Sequence, residues 1–280
     1  MYSSIAEKRT SSINNLNAKW LYHKDSFANI TSICYNDYKK KTFKEEEMSK
    51  FIADKSFFEL FPEAKLGVIL VKNMENSDDS PREVRKMLVE ANEEAEKYLV
   101  AGQLSENKEV AVWREAYKKF KTKKGARCSI EALLKRLSKG NLVGSINTLV
   151  DIYNAASLRF ALPCGAEDSD KFVGDLRLTI TEGGDEFQAI GEDPSETYEG
   201  ELCYKDDKGA ICRCFNWRDG IRTMITEDTK NAFMIMELVD PDRYDALEGA
   251  LEFLKENLTK YLNAEVTVHI LDKDNPEVSI

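Results

Sequence analysis

AFMIMELVDPDRYDALEGALEFLKENLTKYLNAEVTVHIL, residues 232–271, carries three structural signals in succession. Residues 232–239 are almost continuously apolar, the pattern of a strand covered on both faces in the middle of a sheet. Asp240 and Pro241 close that run, and residues 244–262 then alternate apolar and charged positions as an amphipathic helix does. Residues 264–271 return to a β pattern, which makes a C-terminal β–α–β unit. Upstream, residues 173–181, 186–190, 200–204 and 210–217 read as further strands separated by Gly- or Asp-rich turns.

Before Pro163 the pattern is different. Residues 66–71 form one β-branched strand, but the rest of this half is mostly helical. Ser80-Pro81, a capping residue followed by an N1 proline, opens a helix toward residue 100. Residues 105–120 repeat the pattern, and Ser129 starts another helix carrying Leu133, Leu134 and Leu137. In residues 145–160, Leu149, Tyr153, Ala156 and Phe160 make one apolar stripe, with Asn147, Asp151 and Asn154 as a polar stripe beside it that is expected to be solvated. The order predicts an α+β fold: a helical N-terminal half packed on a mixed, mostly antiparallel β-sheet, with the C-terminal β–α–β unit. Residues 1–47 are polar and weakly periodic and are read as an extension; the organised domain is expected over 48–280.

A chain of 280 residues with 42% hydrophobic content can bury one large core. No stretch approaches the roughly 20 apolar residues of a membrane-spanning helix, and no apolar run marks a secretory signal near the start. A soluble, cytoplasmic protein without a membrane partner is expected. The six cysteines lack disulfide-framework spacing, and Cys212 and Cys214, with no nearby His, complete no familiar zinc set. His23 and His269 are far apart in sequence, and neither suits a ligand or general base. No metal and no cofactor are expected.

The net charge of −10 opposes indiscriminate nucleic-acid binding. Locally the balance reverses. Residues 113–139 hold ten Lys or Arg against Glu115 and Glu131, interleaved with Trp113, Tyr117 and Phe120. Within this run Arg114, Lys118, Lys119, Lys121, Lys123, Lys124 and Arg127 are candidate RNA contacts, and a solvated helix face is the plain alternative. The standard phosphate loop, nucleophile elbow and HExxH metal motif are all missing. Two polar segments remain, residues 146–171 and 212–239, each placing several polar groups beside strongly structured elements.

Their ordered motifs, VDIYN, LPCGAED and GDLRLTI followed by CFNWR and TEDTKN, resemble stand-alone homologues of the tRNA-binding and editing domain of the phenylalanyl-tRNA synthetase β subunit. The upstream WREAYKKF and SIEALLKRL fit the same relatives, so the likeness runs from about Phe51 to Leu271. It implies binding of the aminoacylated 3′ end of tRNA and hydrolysis of a wrongly attached amino acid, with no DNA partner. An activated ester needs only a held water, donors for the oxyanion and rejection of the correct amino acid by shape.

Carried onto this chain, the resemblance implies a pocket of Asn154, Ser157, Arg159, Gly165 and Ala166, with Asn216, Trp217, Arg218, Arg222 and Thr226 as the opposite wall. Glu167 or Asp168 would orient the water or bind the substrate ammonium group. The two segments are expected to close around one cavity sized for an aminoacyl group. Synthetase-borne domains commonly carry a histidine in the turn where this chain has Gly165, so a histidine-assisted mechanism does not carry over. A non-catalytic tRNA- or RNA-binding module of the same fold is the main alternative, and an amino-acid sensor or small-molecule enzyme the third.

Overall fold

The computed structural model describes residues 49–280. His23, Cys34 and the expected N-terminal extension lie outside the described residues. Among the described residues are strands β1 Lys50–Ala53, β2 Lys65–Lys72, β3 Gly165–Asp168, β4 Leu176–Ile180, β5 Glu186–Phe187, β6 Ser195–Glu196, β7 Leu202–Asp206, β8 Gly209–Arg213, β9 Arg218–Asp219, β10 Ala232–Leu238, β11 Glu265–Leu271 and β12 Glu277–Ser279. The α-helices are α1 Lys55–Leu60, α2 Arg82–Glu94, α3 Lys108–Ala116, α4 Ser129–Leu137, α5 Thr148–Phe160 and α6 Tyr244–Leu262. The fold is α+β.

Two sheets organise it. One has the order β11-β2-β10-β3 with every pair antiparallel. The other runs β12-β1-β4-β7-β8-β9, in which only β1 and β4 are parallel. The C-terminal β–α–β unit is present, but β2 inserts between its strands and pairs antiparallel with both β10 and β11.

The apolar character of β2 and β10 follows from burial on both faces. Leu66, Val68, Leu70, Phe233 and Ile235 join the core shared with the six-stranded sheet and α2–α4. Ile69, Val71, Met234 and Met236 pack instead with Leu149 and Ile152 of α5 and Leu251, Leu254 and Leu258 of α6. Side chains alternate across each strand, so both sets must be apolar. No helix among the described residues is long and apolar enough to cross a membrane.

The polar stripe of α5 departs from its expected solvation. Asp151 is fully buried, and its carboxylate accepts from Ser80 Oγ at 2.6 Å, from Ile146 N–H at 2.7 Å and from Ser145 Oγ. Asn147 caps the helix by accepting from Val150 N–H. Ser80 therefore serves Asp151 rather than capping α2, which has no side-chain cap. This buried network fixes where α5 begins and hence where the chain leaves it, at the left-handed Ala161 just before β3.

Candidate functional site

The two polar segments meet at the free edge of β3. Within β3, Gly165 and Glu167 face the six-stranded sheet, whereas Ala166 faces the α5–α6 layer, as strand alternation requires. Asp168 N–H donates to Thr223 O at 2.7 Å, joining β3 directly to the second segment. That segment gets there by an abrupt reversal after β8. Cys214 and Phe215 both adopt positive φ, 52° and 54°, a conformation costly for side chains with a Cβ. The Phe215 ring is held among Phe57, Phe61, Trp113, Tyr117 and Phe120, and Tyr117 OH donates to Cys214 O at 2.6 Å. These contacts hold the reversal and deliver Asn216 against Gly165.

A Cβ on Gly165 would lie 2.2 Å from Asn216 Oδ1. The space that a side chain at 165 would need is thus filled by the Asn216 carboxamide, and a histidine here would have to expel it. Asn216 Nδ2 donates to Glu237 Oε2 at 2.7 Å, and Tyr204 OH donates to Glu237 Oε1 at 2.6 Å. Burial in β10 pushes the Glu237 carboxyl up to about 8. Gly165→Ala is expected to lose about 1–3 kcal/mol in urea unfolding, through displacement of Asn216 and loss of its bond to Glu237. An unchanged midpoint with the same m-value would show that Asn216 is not held there.

Glu167, Cys212 and Asn216 border a small space of about 10 Å³ together with Gly165, Tyr204, Ile211, Phe233 and Ile235. That is room for at most one water, far less than the expected aminoacyl cavity. Glu167 Oε2 is buried without a hydrogen-bond partner, as is Thr223 Oγ1. Burial, then the nearby Asp219 carboxylate, pushes the Glu167 carboxyl well above the usual range; Thr223 and Arg222 act in the opposite direction. Asp219 is raised by burial as well. Asp219 is an exposed residue of β9, and its carboxylate accepts from Cys212 Sγ at 3.2 Å. Burial raises the Tyr153 hydroxyl of α5 well above its ordinary range, with Asp219, Cys164 and Glu167 adding to the shift.

The other expected pocket residues have different tasks. Asn154 is buried on α5. Ser157 Oγ donates to Leu162 O at 2.5 Å and closes the end of α5. Arg159 turns away to pair bidentately with Glu94 at 2.8 and 2.9 Å and stacks on Phe253. Asp168 shapes its own turn by accepting from Asp170 N–H and Thr229 Oγ1. Arg218 lies over Trp217 and approaches Glu192. Thr226 belongs to a tight turn in which its N–H donates to Thr229 Oγ1.

Arg222 forks onto both oxygens of Asp206, at 2.7 and 2.9 Å, and also donates to Lys171 O. It lines, with Ile221, Phe187, Gln188 and Lys208, an open groove of about 530 Å³ that does not include Glu167. Asp219, Thr223 and Glu237 are not among the residues expected from sequence, and Cys212 is weighed there as a metal ligand and set aside for want of a nearby His. Only strand register brings Cys212 and Asp219 opposite each other.

The basic run surrounds two adjoining depressions of about 340 and 520 Å³ that share Arg127 and Lys135, with Arg114 and Lys118 on one side and Arg136 and Lys139 on the other. Several of its cations are paired: Arg114 with Glu131, Lys118 with Glu115 and Lys123 with Glu192. Lys119 donates to Leu60 O, and Lys121 pairs through its backbone with residues 200–201. Lys124 is exposed, while Arg127 folds back onto Gly125 O. This face is positive but partly neutralised from within.

Residues 112–259 match the B3/4 domain. The phenylalanine–tRNA ligase β subunit of Mycoplasmoides gallisepticum is 30% identical over 110 residues, covering 39% of this chain and 13% of that protein. The chain thus aligns with only a small part of its relative's length. Among solved structures, an N-terminal fragment of the phenylalanyl-tRNA synthetase β subunit from Pyrococcus horikoshii is similar with a TM-score of 0.44 and 12% identity, over 81% of this chain and 53% of that one. The match extends from the middle of α3 nearly to the end of α6, more than half the sequence and both walls of the Glu167 region, and the chain belongs to the B3/4 domain family.

Proposed function

We propose that this protein binds tRNA and hydrolyses the ester of mischarged aminoacyl-tRNA in trans. The observation that carries the reading is the buried Glu167 carboxyl, with one oxygen unpartnered beside a space that fits a single water. Burial raises the proton affinity of the Glu167 carboxylate, which makes its ionised form a stronger base for taking a proton from water as the water oxygen attacks an ester carbonyl. Asp168 N–H lies on the free edge of β3. Two residues earlier the Ala166 N–H points the same way and supplies a donor for the developing oxyanion. The small space admits water alone, so entry of the aminoacyl group requires residues 220–223 to part from that edge.

The relative named as a phenylalanine–tRNA ligase β subunit supports tRNA as the partner. The depressions around Arg127 and Lys135 are the surface suited to its phosphates.

Incubation with a panel of mischarged tRNAs tests this directly. At least one ester is expected to be lost faster than in buffer, with Glu167→Gln slowing it about 100-fold or more. Binding is expected to weaken steeply with salt, and Arg127→Ala with Lys135→Ala should lower the slope of log K against log salt by about 1 to 2. Loss of every ester at the buffer rate would end the hydrolase reading, and salt-dependent binding without turnover would leave a tRNA-binding module.

A further inference from the structure

Cys212 and Asp219 are register partners on β8 and β9, and Glu167 projects toward them from β3 of the other sheet. One donor atom from each, a sulfur and two carboxylate oxygens, lies within 4.8 Å of the others. Small side-chain rotations bring such a set to the ~3.5 Å separations of a tetrahedral ion with bonds of about 2.0–2.3 Å. The electrostatics of the set are incomplete. Among the described residues neither Glu167 nor Asp219 forms a salt bridge: Arg218 reaches Glu192 and Arg222 reaches Asp206. Glu167 is buried, and a buried carboxylate with no cation in direct contact is costly.

A second observation points the same way. Glu167 Oε2 is buried without a well-formed hydrogen bond, its polar neighbour being the hydroxyl of the fully buried Thr223, which draws the carboxyl back toward its ionised form. Leaving such an oxygen poorly satisfied costs about 1–3 kcal/mol, a deficit that a bound ion removes. Cys212 Sγ has two acceptors, Phe215 O at 2.9 Å and Asp219 Oδ1 at 3.2 Å, for its single proton. The space bordered by Glu167 and Cys212, about 10 Å³, suits a single small occupant. Asp219, in an exposed residue position, opens the set to solvent and gives an ion a way in.

We propose that Glu167, Cys212 and Asp219 bind a thiophilic divalent cation of the Zn²⁺ class. The thiolate selects against Mg²⁺ and Ca²⁺, which prefer all-oxygen sites. On binding, the Cys212 S–H bond breaks, its proton leaves to solvent and the sulfur electron pair is donated to the metal, while each carboxylate contributes an oxygen lone pair. The metal site stands on its own geometry and does not depend on the hydrolase reading.

Titration of the full chain with Co²⁺, a spectroscopic stand-in for Zn²⁺, tests the proposal without any tRNA. A thiolate-to-cobalt charge-transfer band is expected to grow to one equivalent and to disappear on adding Zn²⁺. Cys212→Ser is expected to abolish the band, and Asp219→Asn and Glu167→Gln each to weaken Co²⁺ binding about 10-fold or more. Absence of the band in the unaltered protein overturns the proposal, as does its persistence in Cys212→Ser. Should Cys212→Ser fail to fold, Asp219→Asn decides alone, because its position is exposed: an unchanged Co²⁺ affinity there overturns the site.

Discussion

Arg213→Met is expected to lower the stability of the domain by about 3–5 kcal/mol, read as a shift in urea midpoint at unchanged m-value. Glu201 is fully buried, and Arg213 binds it through two parallel N–H···O bonds of 2.6 and 2.7 Å. The same carboxylate accepts from Tyr198 N–H at 2.9 Å and from Cys214 Sγ at 3.3 Å. Methionine keeps much of the apolar stem, so the dominant loss is of charge compensation, and Glu201 is left buried without its cation. The Arg213 guanidinium is also sandwiched between Phe187 and Tyr198 at 5.4 and 5.1 Å, so the excursion between β4 and β7 loses its anchor too. Adding Glu201→Gln should recover a large part of the loss, because the stranded charge disappears. Equal instability of single and double variants would mean that stacking, rather than the ion pair, holds the excursion.

Glu237→Gln is expected to change the pH dependence of stability more than stability at any acidic pH. The folded carboxyl titrates near 8 against an ordinary 4.5. The folded state therefore holds a proton that the unfolded chain has released. This contribution is complete below about pH 4.5 and is lost as pH rises through about 8. At about 1.36 kcal/mol for each tenfold change in proton affinity, it amounts to as much as about 5 kcal/mol across that window. A glutamine does not titrate. Its oxygen can accept from Asn216 Nδ2 while its N–H₂ donates to the Tyr204 oxygen, preserving the bridge between β10, β7 and the 216 turn. The variant should overtake the unaltered protein between pH 5 and 9 in thermal melts, and parallel curves across that range would refute the assignment.

What could be read from sequence was what local pattern enforces. The residues of α6 and β10 are so strongly patterned that both elements begin where expected, and α5 ends where its apolar stripe ends. The misreadings share a cause in contacts distant along the chain. Residues 165–168 looked like an acidic turn, since Gly-Ala-Glu-Asp has no strand preference; pairing with β10 makes them a strand. The strand expected over 210–217 stops at Arg213, because aromatic rings from α1, α3 and the turn after α3 hold Phe215 in a left-handed bend. Asp151 looked solvated because its partners Ser80 and Ser145 lie outside its own helix.

The candidate site shows the same division. Motif order singled out the two segments that meet at β3, with Glu167 and Asn216 within them, but not how tightly their side chains fill the space between. Asn216 fills the position beside Gly165, and Arg159 and Arg222 are held by Glu94 and Asp206. Neither fact is visible without knowing which acid lies opposite which base. Cys212 seemed inert by spacing alone, and only a two-residue strand, β9, brings Asp219 to face it.

The position of β2 between β10 and β11 sets a limit on dissecting this protein. Residues 112–259 contain β3, β10 and most of α6, yet β2 belongs to residues 65–72 and β11 to residues 265–271. Excised at those borders, β10 would present an unpaired strand edge, apolar but for Glu237, to other molecules, an invitation to aggregate. The boundaries of ancestry and the boundaries of autonomous folding therefore do not coincide here, and a fragment cut to the former should be recovered from inclusion bodies rather than from solution.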